Sequence, residues 1–190
     1  MPIAKSSLGE AVQAGLGRAG DSNAQAGFGG VYTVQCFDAT GQLKWEEEFH
    51  NIVVNEGLQD LNTKYFRGSG YSAVWYLGLI TGPGSSVVYA QTDTLASKAW
   101  TEFTNYSGSR KAVTFGNATL ADPSVITNSA SPALFTISGA GGNVGGAFLT
   151  TALSGTTGVL FSEGNFTGGD KIVASGDTLS VTYTFNADAV

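Results

Sequence analysis

Apolar and polar residues alternate with a period of two along most of the chain from Val31 onward, and that period predicts β-strands. Tyr32, Val34 and Cys36 share one face of a first strand, with Thr33, Gln35 and Phe37 on the other. Asp38-Ala39-Thr40-Gly41 then has the composition of a turn. The next strand sets Leu43, Trp45, Glu47 and Phe49 against Lys44, Glu46, Glu48 and His50, which completes a hairpin with one polar face. Ile52, Val53 and Val54 extend its second strand beyond a kink. The period then changes once: Leu58, Leu61 and Tyr65 form one stripe of a short helix, with Asn55 as its N-cap and Arg67-Gly68-Ser69-Gly70 as its end.

Residues 72–80 are apolar on both faces, which predicts a central strand buried on both sides. A Gly-rich loop follows over 81–86, and Asp93 is expected to cap a helical turn through Leu95 and Lys98 before Trp100 and Phe103 resume the alternation. Further strands are expected near 111–119, 133–138, 145–152, 157–162, 171–174 and 178–186. The last is the clearest, with Leu179, Val181, Tyr183 and Phe185 facing a core. The run Gly139 to Gly146 reads as a connection between strands. Val144 stands where a dinucleotide-binding loop needs its third glycine, and a strand rather than a helix follows. No repeat of fixed period is present, which excludes propellers and solenoids. The pattern therefore predicts an all-β fold over 30–190, a single antiparallel β-sandwich of jelly-roll-like or immunoglobulin-like type, with one short helix near 56–66.

Residues 1–29 follow another pattern. Ser7 and Glu10 have the spacing of a capping box for a short helix through Gln13, after which glycines at 15, 17, 20, 27, 29 and 30 interrupt regular structure. With few bulky apolar groups (Ile3, Leu8, Val12, Leu16, Phe28), this stretch reads as a flexible, extended N-terminal arm, either a frayed tail or a segment that orders by docking on a neighbouring subunit.

Composition narrows the chemistry. The 190 residues carry a net charge of −6 with 9 Lys and Arg, too few cations for a phosphate-backbone footprint, so no nucleic-acid partner is expected. One His and one Cys cannot build a zinc tetrad or a disulfide. Cys36 reads as a core thiol, and His50 as part of a solvated strand face beside Glu46 and Glu48. Glu47 shares a face with Trp45 and Phe49 and needs a cationic partner if buried; otherwise its cluster marks a protected edge. Asp93, Asp122, Asp170 and Asp177 are scattered acids without a calcium-loop pattern, and the last two suit Asx turns. Asn105, Asn117 and Asn165 begin glycosylation sequons that carry no meaning without a signal peptide, and Met1 to Lys5 lead into no apolar h-region. No stretch reaches the roughly 18 apolar residues of a membrane span, so no membrane partner is expected. Catalytic, cofactor-binding and metal residues are accordingly expected to be none, and the chain is not expected to be an enzyme; a cell-wall hydrolase would need a placed carboxylate pair. Trp45, Trp75 and Trp100 are core by default, with a carbohydrate surface in the loops as the rival reading.

The segment His50-Asn51-Ile52-Val53-Val54-Asn55-Glu56-Gly57-Leu58-Gln59-Asp60-Leu61, continuing to Lys64-Tyr65-Phe66, resembles a family of small tailed-bacteriophage virion structural proteins. Residues 73–79, 100–106, 144–149 and 176–184 extend that resemblance in order, so that it spans roughly 31–186. The resemblance implies no catalytic residues. It implies a virion component, made in the host bacterial cytoplasm and assembled on the capsid or tail. The leading expectation is a capsid decoration or cement protein. Its partners would be the major capsid protein and copies of itself, as a dimer or trimer. The alternative is an adhesion module on a tail or head fibre that binds host-surface glycan.

Overall fold

A computed structural model of the chain describes residues 27–68, 70–71, 74–83 and 87–188. The arm expected over 1–29 lies outside the described residues as far as position 26, as does the Ser7-capped helix. The first half of the described chain forms β1 (Gly27–Phe37), β2 (Leu43–His50), β3 (Ile52–Val53), α1 (Asn55–Arg67), β4 (Trp75–Thr81), β5 (Glu102–Phe103) and β6 (Lys111–Val113). The second half forms β7 (Ser124–Thr127), β8 (Ala133–Thr136), β9 (Gly142–Thr150), β10 (Leu160–Asn165), β11 (Lys171–Val173) and β12 (Thr178–Asp188). Every pairing between these strands is antiparallel. The chain is an all-β sandwich of two sheets with one short helix.

The first sheet runs β2-β1-β12-β7, with β8 also on β12. The second runs β3-β10-β9-β4-β5, with β11 on β9 and β6 on β4. Period-two alternation explains the buried faces: Tyr32, Val34 and Cys36 of β1 and Leu179, Val181 and Tyr183 of β12 are all inaccessible to solvent. They meet Leu77, Leu79, Ala147 and Leu149 of the second sheet in one core. A smaller cluster lies on the other face of the second sheet, where Ile80, Phe148 and Leu160 are covered by Leu95 and Trp100 from the long β4–β5 connection. That second layer is why β4 is buried on both faces, as its sequence requires.

Several boundaries differ from the periodicity. β1 starts at Gly27, because β12 offers partners as far as Asp188 and the ladder continues through Gly29 and Gly30. β2 does not run on past a kink: at Asn51 the chain leaves the first sheet, and Ile52 and Val53 pair with Glu163 and Ser162 in the second. Asn55 is the first helical residue rather than the cap, and Val54 precedes it without a side-chain hydrogen bond. The Asn55 N–H is satisfied instead by the Gln91 carbonyl at 2.8 Å. No helix forms after Asp93; Thr94 and Ser97 close a turn through two backbone bonds. β9 takes in part of the glycine run, since Gly142 to Val144 pair with β11 and Gly146 with β10. β7 was not visible in the periodicity because all four of its residues are half-buried.

Candidate functional site

α1 approaches the second sheet very closely at one point. A Cβ on Gly57 would lie 2.6 Å from the Phe161 carbonyl oxygen, so only glycine lets the helix rest on the β10 backbone there. Leu58 and Leu61 then pack against the main core, while Tyr65 and Phe66 at the far end stand 80 % and 75 % exposed. The left-handed Gly68 ends the helix.

Between this far end and the edge of the sandwich lies an open cavity of about 310 Å³. Leu61, Lys64 and Tyr65 form its helical wall, and Trp75, Phe115, Ile126, Phe161, Tyr183 and Phe185 its floor and sides. The rings are in contact: Trp75 meets Phe161 edge-on at 5.3 Å, Phe161 meets Phe185 at 5.5 Å, and Phe185 stacks on Phe28 at 6.2 Å. The polar groups are already engaged. Lys64 pairs with Asp60 at 3.5 Å and sits over the Tyr71 ring, and Trp75 Nε1 donates to the Tyr71 hydroxyl at 3.2 Å. A cavity of this lining holds an aromatic or aliphatic group by burial of apolar surface, at the small end of the size range for binding pockets.

The residues singled out in the sequence are dispersed. His50 is exposed at the end of β2, opposite Val31. Glu46 accepts a hydrogen bond from Gln35. Glu47 is buried and does find its cation, pairing with Lys171 at 2.6 Å and accepting the Gly168 N–H. Cys36 is a core thiol; burial, reinforced by the Asp177 charge, pushes it up to about 11, far from the nucleophilic range. Asp177 pairs with Lys44 at 2.5 Å and accepts the Ala174 N–H within a turn. Asp93 bonds the Ala90 N–H, and Asp122 lies on an exposed stretch. Among the described residues, no three acidic, His or Cys side chains gather as a metal cluster. Of the three tryptophans, Trp45 packs edge-on against Phe166, Trp100 belongs to the second cluster, and Trp75 alone lines the cavity.

Three buried polar residues escaped the sequence reading. Asn128 looks like an ordinary turn residue, Arg110 like a loop cation after Ser-Gly-Ser, and Glu163 follows a strand of otherwise apolar character. Arg110 grips Glu102, eight residues earlier, with two hydrogen bonds at 2.7 and 2.8 Å, a pairing across a loop that no periodicity announces.

The fold and the cavity together define an antiparallel sandwich with an apolar, aromatic-rimmed pocket beside its single helix. No protein-family model matches the chain, and no significant match emerges among curated proteins or solved structures. No helix among the described residues is long and apolar enough to cross a membrane.

Proposed function

We propose that this chain is a structural subunit of a phage virion, a capsid decoration or cement protein that binds the outer surface of the major capsid protein and copies of itself. The observation that carries the reading is the aromatic rim of the cavity: Tyr65 and Tyr71 stand exposed around an open apolar pocket, and the exposed Phe66 packs edge-on against Tyr65 beside it. Contiguous exposed aromatics around a pocket mark a protein-docking surface, with a partner's apolar side chain as the anchor. The segments that resemble phage virion proteins, 50–66 and 73–79, supply α1 and β4, which form two walls of this pocket. A glycan would be less well served. Sugars need several free hydrogen-bonding groups beside an aromatic platform, and here Asp60, Lys64 and Trp75 are bonded to one another or to Tyr71. Binding only to the assembled shell stabilises that shell by mass action.

The test is co-sedimentation of purified protein with capsids that lack it, followed by electron microscopy of the loaded particles. Density spread over the capsid lattice is expected, with occupancy lowered at least about tenfold by the exposed-rim change Tyr65→Ser plus Phe66→Ser while the melting temperature stays unchanged. Label confined to a tail tip, or binding to a glycan array that survives the rim change, would replace the cement reading with the adhesion one.

A further inference from the structure

Glu163 is completely buried in β10, in the middle of the second sheet, with β3 on one side and β9 on the other. Its Oε2 accepts the Trp100 indole N–H at 2.6 Å. Its Oε1 is shut away from solvent and receives no hydrogen bond from a donor. A buried carboxylate oxygen left in that state is costly, and Glu163 has a second carboxyl, Asp93, within hydrogen-bonding reach. Two carboxylates in contact disfavour each other's ionisation, and the buried one, here Glu163, is the one that keeps a proton. A proton on Glu163 resolves both problems at once, because it turns an orphaned acceptor into a donor to Asp93.

We propose that Glu163 is held protonated and donates to Asp93, and that this single proton latches the segment 87–100 over the outer face of the second sheet. Trp100, Asp93 and Ala90 belong to that segment and all meet the Glu163 carboxyl, the Ala90 N–H being shared with Asp93 and too weak an opposing influence to offset burial. The segment otherwise holds on through Leu95 and Trp100 against Ile80, Phe148 and Leu160, with the Gln91 carbonyl accepting the Asn55 N–H. Losing the proton sets two negative charges against each other beneath it and loosens it, which exposes an apolar face separate from the cavity under α1.

The other charged and titratable groups nearby leave the proton on Glu163, and Glu56 of α1, which accepts the Leu160 N–H and lies beside Asp93, adds negative charge of its own. Tyr89, with an unpartnered buried hydroxyl, is raised by burial and by Glu163 itself. Lys98 lies over the Trp100 ring, donates to the Leu95 carbonyl, and is lowered by its own burial. Tyr32, across the sheet, donates to Ser162 rather than to Glu163. Arg110 is committed to Glu102, and Asp170 adds further negative charge beside Tyr89. Burial, with Asp93 adding to it, raises Glu163 from an ordinary 4.5 to about 8.

The sign follows from linkage. Once the segment opens, Glu163 returns toward 4.5, so the closed form holds the proton more tightly between 4.5 and about 8. Opening then grows roughly tenfold per pH unit across that window and levels off above it. Hydrogen exchange of peptides covering 87–100 in the full chain, corrected for intrinsic base catalysis, reads this directly. Wild type should show the rise and the plateau, whereas Glu163→Gln, whose amide donates to Asp93 without titrating, should be flat. Asp93→Asn removes the facing charge and should bring the plateau to lower pH. A flat wild-type profile would overturn the proposal, as would a rise retained in Glu163→Gln. Millimolar Ca²⁺ that protects the segment at neutral pH would also overturn it, since the orphaned oxygen would then hold a cation in place of a proton.

Discussion

Asn128 is fully buried where β7 gives way to β8, and its side chain bonds to β12 as a strand residue would. Its Oδ1 accepts the Tyr183 N–H at 2.7 Å, and its Nδ2 donates to the Val181 carbonyl at 3.2 Å. The amide therefore fills the gap in a ladder that two short strands share. Replacing it with alanine leaves a buried donor and a buried acceptor unpaired, and Asn128→Ala should cost about 2–3 kcal/mol in chemical denaturation. Arg110 closes the corresponding break between β5 and β6. It grips Glu102 with two hydrogen bonds and reaches the Ala152 and Gly155 carbonyls at 3.0 and 2.8 Å. Neither role could be read from the sequence, because periodicity registers apolar faces and both residues act where a strand is interrupted. Glu47 was legible for the opposite reason. It interrupts an apolar face that alternation makes plain, so its need for a cation followed, although Lys171 could not be named.

Gly57 governs how α1 sits on the sheet, since a methyl group there would press on the backbone of Phe161 rather than on a side chain able to move away. Gly57→Ala should therefore cost about 1–3 kcal/mol despite alanine's better helix propensity, and should tilt the helix enough to alter the cavity. Thermal unfolding checks the first effect, and quenching of Trp75 fluorescence in a Trp45→Phe, Trp100→Phe background checks the second. The helix itself was plain from its Leu58–Leu61–Tyr65 stripe, the long strands β1, β2 and β12 from their alternation, and β4 from a run apolar on both faces. The short strands were legible only in part. β6 and β11 do begin where strands were expected, at 111 and 171, but β6 stops at Val113, and β7 had no counterpart because its four half-buried residues show no period. The sheet change at Asn51 was hidden in the same way, because a run of apolar residues suits either sheet.

At the scale of the whole molecule, the cavity draws its walls from α1, β4, β7, β9, β10 and β12 and from the connection that follows β6, so no stretch of sequence contained it. Its ingredients were visible as aromatic strand residues, which the sequence assigns to a core; only the meeting of two sheets and a helix decides which of them stay uncovered. The same long-range construction shapes how the chain can be made. β12 is bonded to β1 along eleven register positions and also carries β7 and β8, so the final strand is an interior member of the first sheet. Pairing of Gly27 with Asp188 closes nearly the whole chain before it yields its contacts, which places folding toward the slow end for domains of this size. A chain lacking residues 178–188 should show no cooperative unfolding transition and should be cleaved rapidly by protease, while a cooperative transition in that fragment would disprove the dependence. On the ribosome, the β1–β2 hairpin emerges first and must wait with Tyr32, Val34 and Phe49 uncovered until the last strand has been synthesised. Translation speed and chaperone supply, rather than the stability of the finished sandwich, then set how much of this chain reaches its folded form.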